Sequence, residues 1–282
     1  MRIGEFPFYL AVIFLISWWS LGEDDGITIR TPRYDQPAPP HIEMAPEGKA
    51  LPDPSYLDPR VQVENSGPVR NSTGTAFSVD EHGLWITARH VVDSCGRLAF
   101  VIPGTNVLRK SGAVWIHPNS DMALVQGPPA GAAVQLADTP AGQGSHAFHV
   151  GYPRGKPGDV LTQVIGRARM ITRGRYRINE PVVAYAEIAR WPKFSGSLGG
   201  ISGGPIFNRQ GHVIGVTVAG NPRRGRVTGT APRSFEPLFE YANKRPSATK
   251  ITRPLFSPSN LVDHGNTLRR KMVVAQLLCF AK

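Results

Sequence analysis

Residues 195–220 read "SGSLGGISGGPIFNRQGHVIGVTVAG" and set glycines on both sides of Ser202. Residues without a Cβ allow a tight turn and let backbone N–H groups face a ligand. The chain then runs through "PIF", the polar turn "NRQG" and "HVIGVTVAG", short apolar runs rich in β-branched residues. That pattern predicts a strand, turn and strand after Ser202, not a helix.

The same texture extends outward. Short apolar runs recur from residue 61, among them "GTAFSV", "LWITARHVV", "LAFVI", "AVWIHP", "MALVQ", "AFHVGYP" and "PVVAYAEI", with Gly, Pro, Asn and Asp between them. Thirty glycines and twenty-six prolines among 282 residues favour many short strands over long helices. An all-β sandwich or barrel is therefore expected, and 41% apolar residues suffice for a sizeable core. "SFEPLFEYANKR", residues 234–245, is the clearest amphipathic helix. In the tail, "LRRKMVVAQLLCFAK" holds an apolar run for which periodicity does not choose between strand and helix.

The first 60 residues differ. Phe6 to Gly22 carry no charge and end near a Trp pair, with Arg2 before and Glu23, Asp24 and Asp25 after. As a helix this stretch would span about 25 Å, the lower limit for crossing a bilayer, and the charge asymmetry predicts that the chain beyond it is exported. The expectation is a membrane anchor over residues 1–22, with a cleaved signal peptide and secretion as the alternative; no small-x-small site comes after "SWWS". Residues 31–60 hold eight prolines, so residues 23–60 are expected to form a disordered tether.

Residues 1–150 hold ten Lys and Arg against fifteen Asp and Glu, a net −5, whereas residues 151–282 hold 22 against six, a net +16. A basic half attracts anions or merely keeps a surface solvated. No nucleic-acid motif with its aromatic spacing is present, so nucleic acid is not an expected partner. Cys95 and Cys279 are compatible with one disulfide in an oxidising compartment, or with two separate buried thiols.

A serine nucleophile needs a base, a group that orients the base, and donors for the oxyanion. Of eight histidines, His90 stands where "LWITA" gives way to a turn, whereas His117 and His212 fit ordinary loops. Asp121, in the polar turn before "MALVQ", can be carried inward to orient His90; Asp93 is the rival by proximity. The Gly200 and Ser202 amides are the expected oxyanion donors. These parts need no metal and no cofactor.

"TARH", "SDMAL" and "GISGGP", in the order His, Asp, Ser and 31 and 81 residues apart, resemble the chymotrypsin-fold, trypsin-like serine peptidases. The resemblance spans about residues 65–240 and is nearest to the compact bacterial HtrA/Deg-type protease domain. It implies two packed six-stranded β-barrels, about residues 61–135 and 136–245, with a cleft between them, and a C-terminal basic extension over 246–282. It implies that Ser202 attacks the scissile carbonyl of a protein or peptide substrate, His90 moves the proton, and Asp121 orients His90. It places Gly196 at the base of the primary substrate pocket and Val216, Thr217 and Val218 in its wall, a pocket without a charge to hold Arg or Lys. Two residues depart from the pattern. Arg89 stands where a small residue is usual, and Ile201 replaces an Asp or Asn, which argues against activation by a new N-terminus. The 37 residues after Arg245 are expected to be too few for a PDZ domain.

Two other readings compete. "GISGG" also matches the nucleophile elbow of α/β-hydrolases, but that fold needs a helix after the serine and then Asp and His in separate positions, and here only the neighbours Asp263 and His264 supply such a pair. A protease-like domain that binds partners without cutting them is the stronger rival, favoured by Arg89, the basic half and the anchor.

Overall fold

The computed structural model describes residues 41–281 apart from 69 and 106. The expected membrane anchor lies outside the described residues, and among those described no helix is long and apolar enough to cross a membrane.

Short strands dominate because apolar and β-branched runs are cut repeatedly by turn residues. The first sheet contains β2 (Ser72–Asp80), β3 (Leu84–Thr87), β4 (Arg97–Val101), β5 (Leu108–Lys110), β6 (Val114–Ile116) and β7 (Ala123–Gln126), joined by β16 (Val274–Phe280). Its seven strands take the path β5-β4-β16-β2-β3-β7-β6. Trp85, Phe77, Phe100 and Met122 fill its interior, with Trp85 and Phe100 ring centroids 5.0 Å apart.

The second sheet contains β8 (Ala133–Leu136), β9 (His146–Gly151), β10 (Gly158–Gly174), β11 (Ile178–Trp191), β12 (Pro205–Phe207), β13 (His212–Asn221), β14 (Arg226–Thr230) and the short β15 (Ile251–Thr252). Pairing of β12 with both β9 and β13 closes a six-stranded ring, β12-β9-β10-β11-β14-β13. Strands β8 and β15 extend this ring at β13, and β1 (Arg60–Asn65) runs parallel to β10, Arg60 facing Arg169. Tyr185, Ile206, Ile214 and Val227 form its core.

Strand β1, expected to open the first barrel, pairs with the second sheet, and the tail beyond residue 245 packs into the fold. Strand β16 lies between β2 and β4, with Gln276 opposite Thr75 and Leu277 opposite Phe100. A disulfide joins Cys279 on this strand to Cys95, with Cα atoms 5.5 Å apart. Phe256, 1% exposed, stacks between Phe148 and Phe207, a burial that stabilises by about 2–3 kcal/mol. Among the described residues the sheets thus hold seven and nine strands instead of six each, because β16 adds to the first and β1, β8 and β15 add to the second.

The expected tether is also partly laid down on the fold. Ile42 and Met44 pack against the core, the Gly48 amide donates to Ser145 Oγ at 2.7 Å, and Lys49 pairs with Gln143.

Among the described residues three short α-helices complete the architecture. Helix α1 (Arg89–Val92) comes directly after β3. It approaches β2 closely because Gly74 has no side chain there; a Cβ would sit 2.4 Å from Val91 Cγ1. Helix α2 (Phe235–Ala242) buries Phe235, Leu238, Phe239 and Ala242, the i, i+3, i+4, i+7 face predicted from the sequence. Helix α3 (Leu261–Arg270) precedes β16 and buries Arg269, whose guanidinium pairs with Asp159 through two 2.8 Å bonds.

Candidate active site

The turn from β3 into α1 presents His90, and the loop before β7 presents Asp121 from the same sheet. His90 Nδ1 lies 2.7 Å from Asp121 Oδ2, and the His90 backbone N–H donates to Asp121 Oδ1 at 2.9 Å. The second bond fixes the carboxylate relative to the backbone of the residue it orients. Asp93 does not share this arrangement; it faces Arg175 at 3.8 Å. His117 is buried and accepts the Asn119 N–H at Nδ1, and burial with the nearby Arg89 cation holds it down at about 4, a neutral loop ring. His212 opens β13, paired with Gln135 of β8.

Asp121 is 2% exposed, whereas the His90 side chain is 28% exposed. Burial works against charge on both groups. The Asp121 carboxylate overcomes this for His90 and raises its pKa above the ordinary histidine value; Arg175 opposes that rise. Burial likewise pushes Asp121 up, but His90 and the Tyr176 hydroxyl together bring it below the usual carboxylate range.

Ser202 comes from the second sheet, in the loop before β12. Gly203 is required beside it. Its φ is +87°, and a Cβ would lie 2.1 Å from the Thr75 carbonyl and 2.2 Å from Thr87 Oγ1. The Ser202 loop is therefore pressed against β2 of the first sheet. Thr75 braces it at two points: its N–H donates to the Ser202 carbonyl at 2.8 Å and its hydroxyl to the Gly200 carbonyl at 2.8 Å. Thr75 Oγ1 also receives the Tyr152 N–H at 3.0 Å.

Among the described residues, the Gly200 and Ser202 amides donate to no protein group. Their carbonyl partners across each peptide are held: Gly199 O accepts from the Arg154 N–H at 2.5 Å, and Ile201 O from the Gly204 N–H at 2.9 Å. In a trans peptide the N–H points opposite the C=O, so these two amides are turned away from the scaffold and free to receive an anion. Among the described residues no hydrogen bond joins Ser202 Oγ to His90.

Gly196 borders a cavity of about 530 Å³ together with Glu187, Arg190, Lys193, Phe194 and Pro222. Arg190 pairs with Glu187 and donates to the Gly196 carbonyl at 3.0 Å, fixing this loop. Val216, Thr217 and Val218 do not line it. All three are buried in β13: the valines pack in the core, and the Thr217 hydroxyl meets His149 Nδ1 at 2.9 Å. Ile201 is buried in the second core and bears no charge for a new N-terminus.

Arg89 turns away from His90. Its guanidinium carbon lies 4.1 Å from the Tyr176 ring centroid, and it donates to the His117 carbonyl at 3.4 Å. Tyr176 and Glu180, on the far side of the β10–β11 turn, both reach Asp121. The Tyr176 hydroxyl donates to Oδ1 at 3.1 Å, and Glu180 Oε1 accepts the Asp121 N–H at 2.8 Å. Burial raises the Glu180 carboxyl to about 8. No local motif announces Thr75, Tyr176 or Glu180, because each acts across more than 50 residues. The alternation "RARMITR" over 167–173 is the available signal for the long hairpin that carries two of them.

Residues 74–216 match the family model for the trypsin-like peptidase domain. No curated protein sequence matches the chain. Among solved structures, the chain is similar to the active form of the Rv3671c protease from M. tuberculosis, with 16% identity and a TM-score of 0.49 over 73% of this chain and 100% of that one. It is also similar to the MamO protease domain from Magnetospirillum magneticum, with 20% identity and a TM-score of 0.42 over 60% of this chain and 88% of that one. For the HtrA-type protease AlgW with decapeptide the values are 16% and 0.45, over 60% of this chain and 51% of that one.

Proposed function

The chain belongs to the trypsin-like peptidase family and is a serine endopeptidase, and on that premise we propose that it cuts by a His90–Asp121–Ser202 triad with an oxyanion hole of the Gly200 and Ser202 amides. Ser202 Oγ attacks the scissile carbonyl while His90 Nε2 takes its proton. The oxyanion receives the two free N–H groups, and His90 returns the proton to the leaving amine. Water then repeats the sequence on the acyl-enzyme. The observation that carries this reading is the His90–Asp121 pair, 2.7 Å apart on a largely buried carboxylate, with a second bond from the His90 amide.

Substrates are unfolded proteins or peptides with small or apolar side chains entering the pocket. Support comes from Gly196, which supplies no anion, and from the bordering cavity, where Arg190 already takes up the Glu187 carboxylate and Lys193 adds a further cation. Residues 1–22 anchor the enzyme in a membrane, with the protease domain on the exported side. Carbonate extraction that releases the full chain from membranes would count against the anchor.

The test is incubation of the full chain with unfolded casein and a peptide library, beside Ser202→Ala. The expected result is cleavage after small or apolar residues and a fall on the order of 10⁶ in turnover for the variant. Cleavage after Arg or Lys refutes the pocket reading, and no cleavage at all refutes the triad. The unmade Ser202–His90 bond favours the second reading, a domain that binds without cutting. Catalytic bonds are often long in unliganded sites and tighten with substrate, so this observation weighs less than the intact His90–Asp121 pair.

A further inference from the structure

Asp121 is held by a hairpin from the opposite sheet. Oδ2 faces His90 Nδ1, while Oδ1 accepts both the His90 amide at 2.9 Å and the Tyr176 hydroxyl at 3.1 Å. Tyr176 stands in the turn between β10 and β11 and is 8% exposed. Thr172 braces this turn, its Oγ1 donating to the Tyr176 carbonyl at 3.5 Å and receiving the Ile178 N–H at 2.8 Å, and the Tyr176 ring lies under the Arg89 guanidinium. Four residues further on, Glu180 takes the Asp121 N–H and shares a hydrogen bond with the Ser120 hydroxyl. The same hairpin therefore grips the carboxylate of Asp121 and its backbone.

Resting on the triad reading above, we propose that Tyr176 is a positioning residue for the proposed triad, and that Arg89, the unusual neighbour of His90, is present to clamp its ring. A buried carboxylate with two oxygens needs more donors than one imidazole supplies. Without the Tyr176 hydroxyl, Oδ1 keeps only the His90 amide, and the carboxylate is held less firmly on the line that fixes the imidazole tautomer. The cation over the aromatic face restrains the ring at a site largely shielded from water, where such contacts are strongest. Because Arg89 is part of α1, the residue that clamps Tyr176 moves with His90.

The remaining charged neighbours set the direction of the secondary effect. Arg175 at the hairpin tip disfavours the imidazolium, and Glu180 lies behind Asp121. Removing the hydroxyl leaves the negative charge of Asp121 less shared, so His90 holds its proton more tightly.

The experiment measures the rate of fluorophosphonate labelling against pH for the full chain, Tyr176→Phe and Arg89→Met, each checked for folding by thermal melting. Tyr176→Phe is expected to label about 10- to 100-fold more slowly, the worth of one hydrogen bond to a charged group. Its acid limb is expected at higher pH, a shift that a purely structural role would not produce. Arg89→Met is expected to change both in the same direction and by less, and the double variant to be little worse than Tyr176→Phe alone. A folded Tyr176→Phe with the parental rate and acid limb overturns the inference; if that variant does not fold, Arg89→Met decides by the same criterion. A parent that is not labelled instead sinks the triad reading itself.

Discussion

Replacing Arg269 with Met isolates the contact that fastens the tail to the second sheet. Arg269 on α3 and Asp159 on β10 are 4% and 2% exposed, and two 2.8 Å bonds join them. The guanidinium also donates to the Gly151 carbonyl at 3.2 Å, next to Tyr152, whose amide reaches Thr75 under the nucleophile loop. Arg269→Met leaves Asp159 buried without its counter-ion, a loss of about 3–5 kcal/mol. For a domain of this size that corresponds to a fall in Tm of about 6–20 °C. Burial already pushes the Asp159 carboxyl above its ordinary value against the pull of Arg269; without that pull it rises further. An acid whose folded pKa is raised binds more protons when folded, so stability falls as pH rises through the window between the two values. The variant's deficit is therefore smaller at pH 5, nearer the ordinary carboxylate value, than at pH 8. Asp159→Leu combined with Arg269→Met should recover most of the loss, since an apolar pair of similar volume often replaces a buried ion pair at little cost. Urea unfolding at both pH values completes the double-variant cycle. A single variant with parental stability, or a double variant no better than the single, would refute the claim that this pair fastens the tail.

Two further outcomes are expected from the same structure. Cys95→Ser with Cys279→Ser should lower stability by about 2–5 kcal/mol, because the bridge closes a loop of 184 residues and ties β16 beside the His90 helix; unchanged melting under reducing conditions would count against it. Glu180, raised to about 8 by burial, takes up a proton on folding, so parental stability should fall by up to about 1.4 kcal/mol per pH unit between its ordinary value and 8. Glu180→Gln should flatten that decline in urea unfolding at pH 5 to 8, and a slope identical to the parent's would show the carboxyl to be ionised throughout.

The motifs that carry the family resemblance, and the pairing of His90 with Asp121, were legible because each motif is local. Glycine around Ser202, a small-residue turn before His90 and a polar turn before Asp121 are short-range requirements of backbone and charge. Helix α2 was legible for the same reason, its apolar face repeating over eight residues. Strand β16 was not. "VAQLLCF" has no period that separates strand from helix, and the deciding influence is pairing with β2, about 200 residues away. Arg89 looked intrusive in the sequence because its partner, Tyr176, lies in the other sheet. Val216 to Val218 lie buried in β13, off the cavity that Gly196 borders; alternation says which positions share a face, not which face meets a pocket.

The most direct test of the account is the site and pH dependence of covalent labelling by a fluorophosphonate. Peptide mapping of the labelled full chain should show a single adduct on Ser202, absent in Ser202→Ala and strongly slowed in His90→Ala. On the proposed mechanism neutral His90 is the base; Asp121 raises its pKa, so the rate should rise with a midpoint above the ordinary histidine value. Labelling at another residue, or at Ser202 with a rate indifferent to His90 and to pH, would contradict the account.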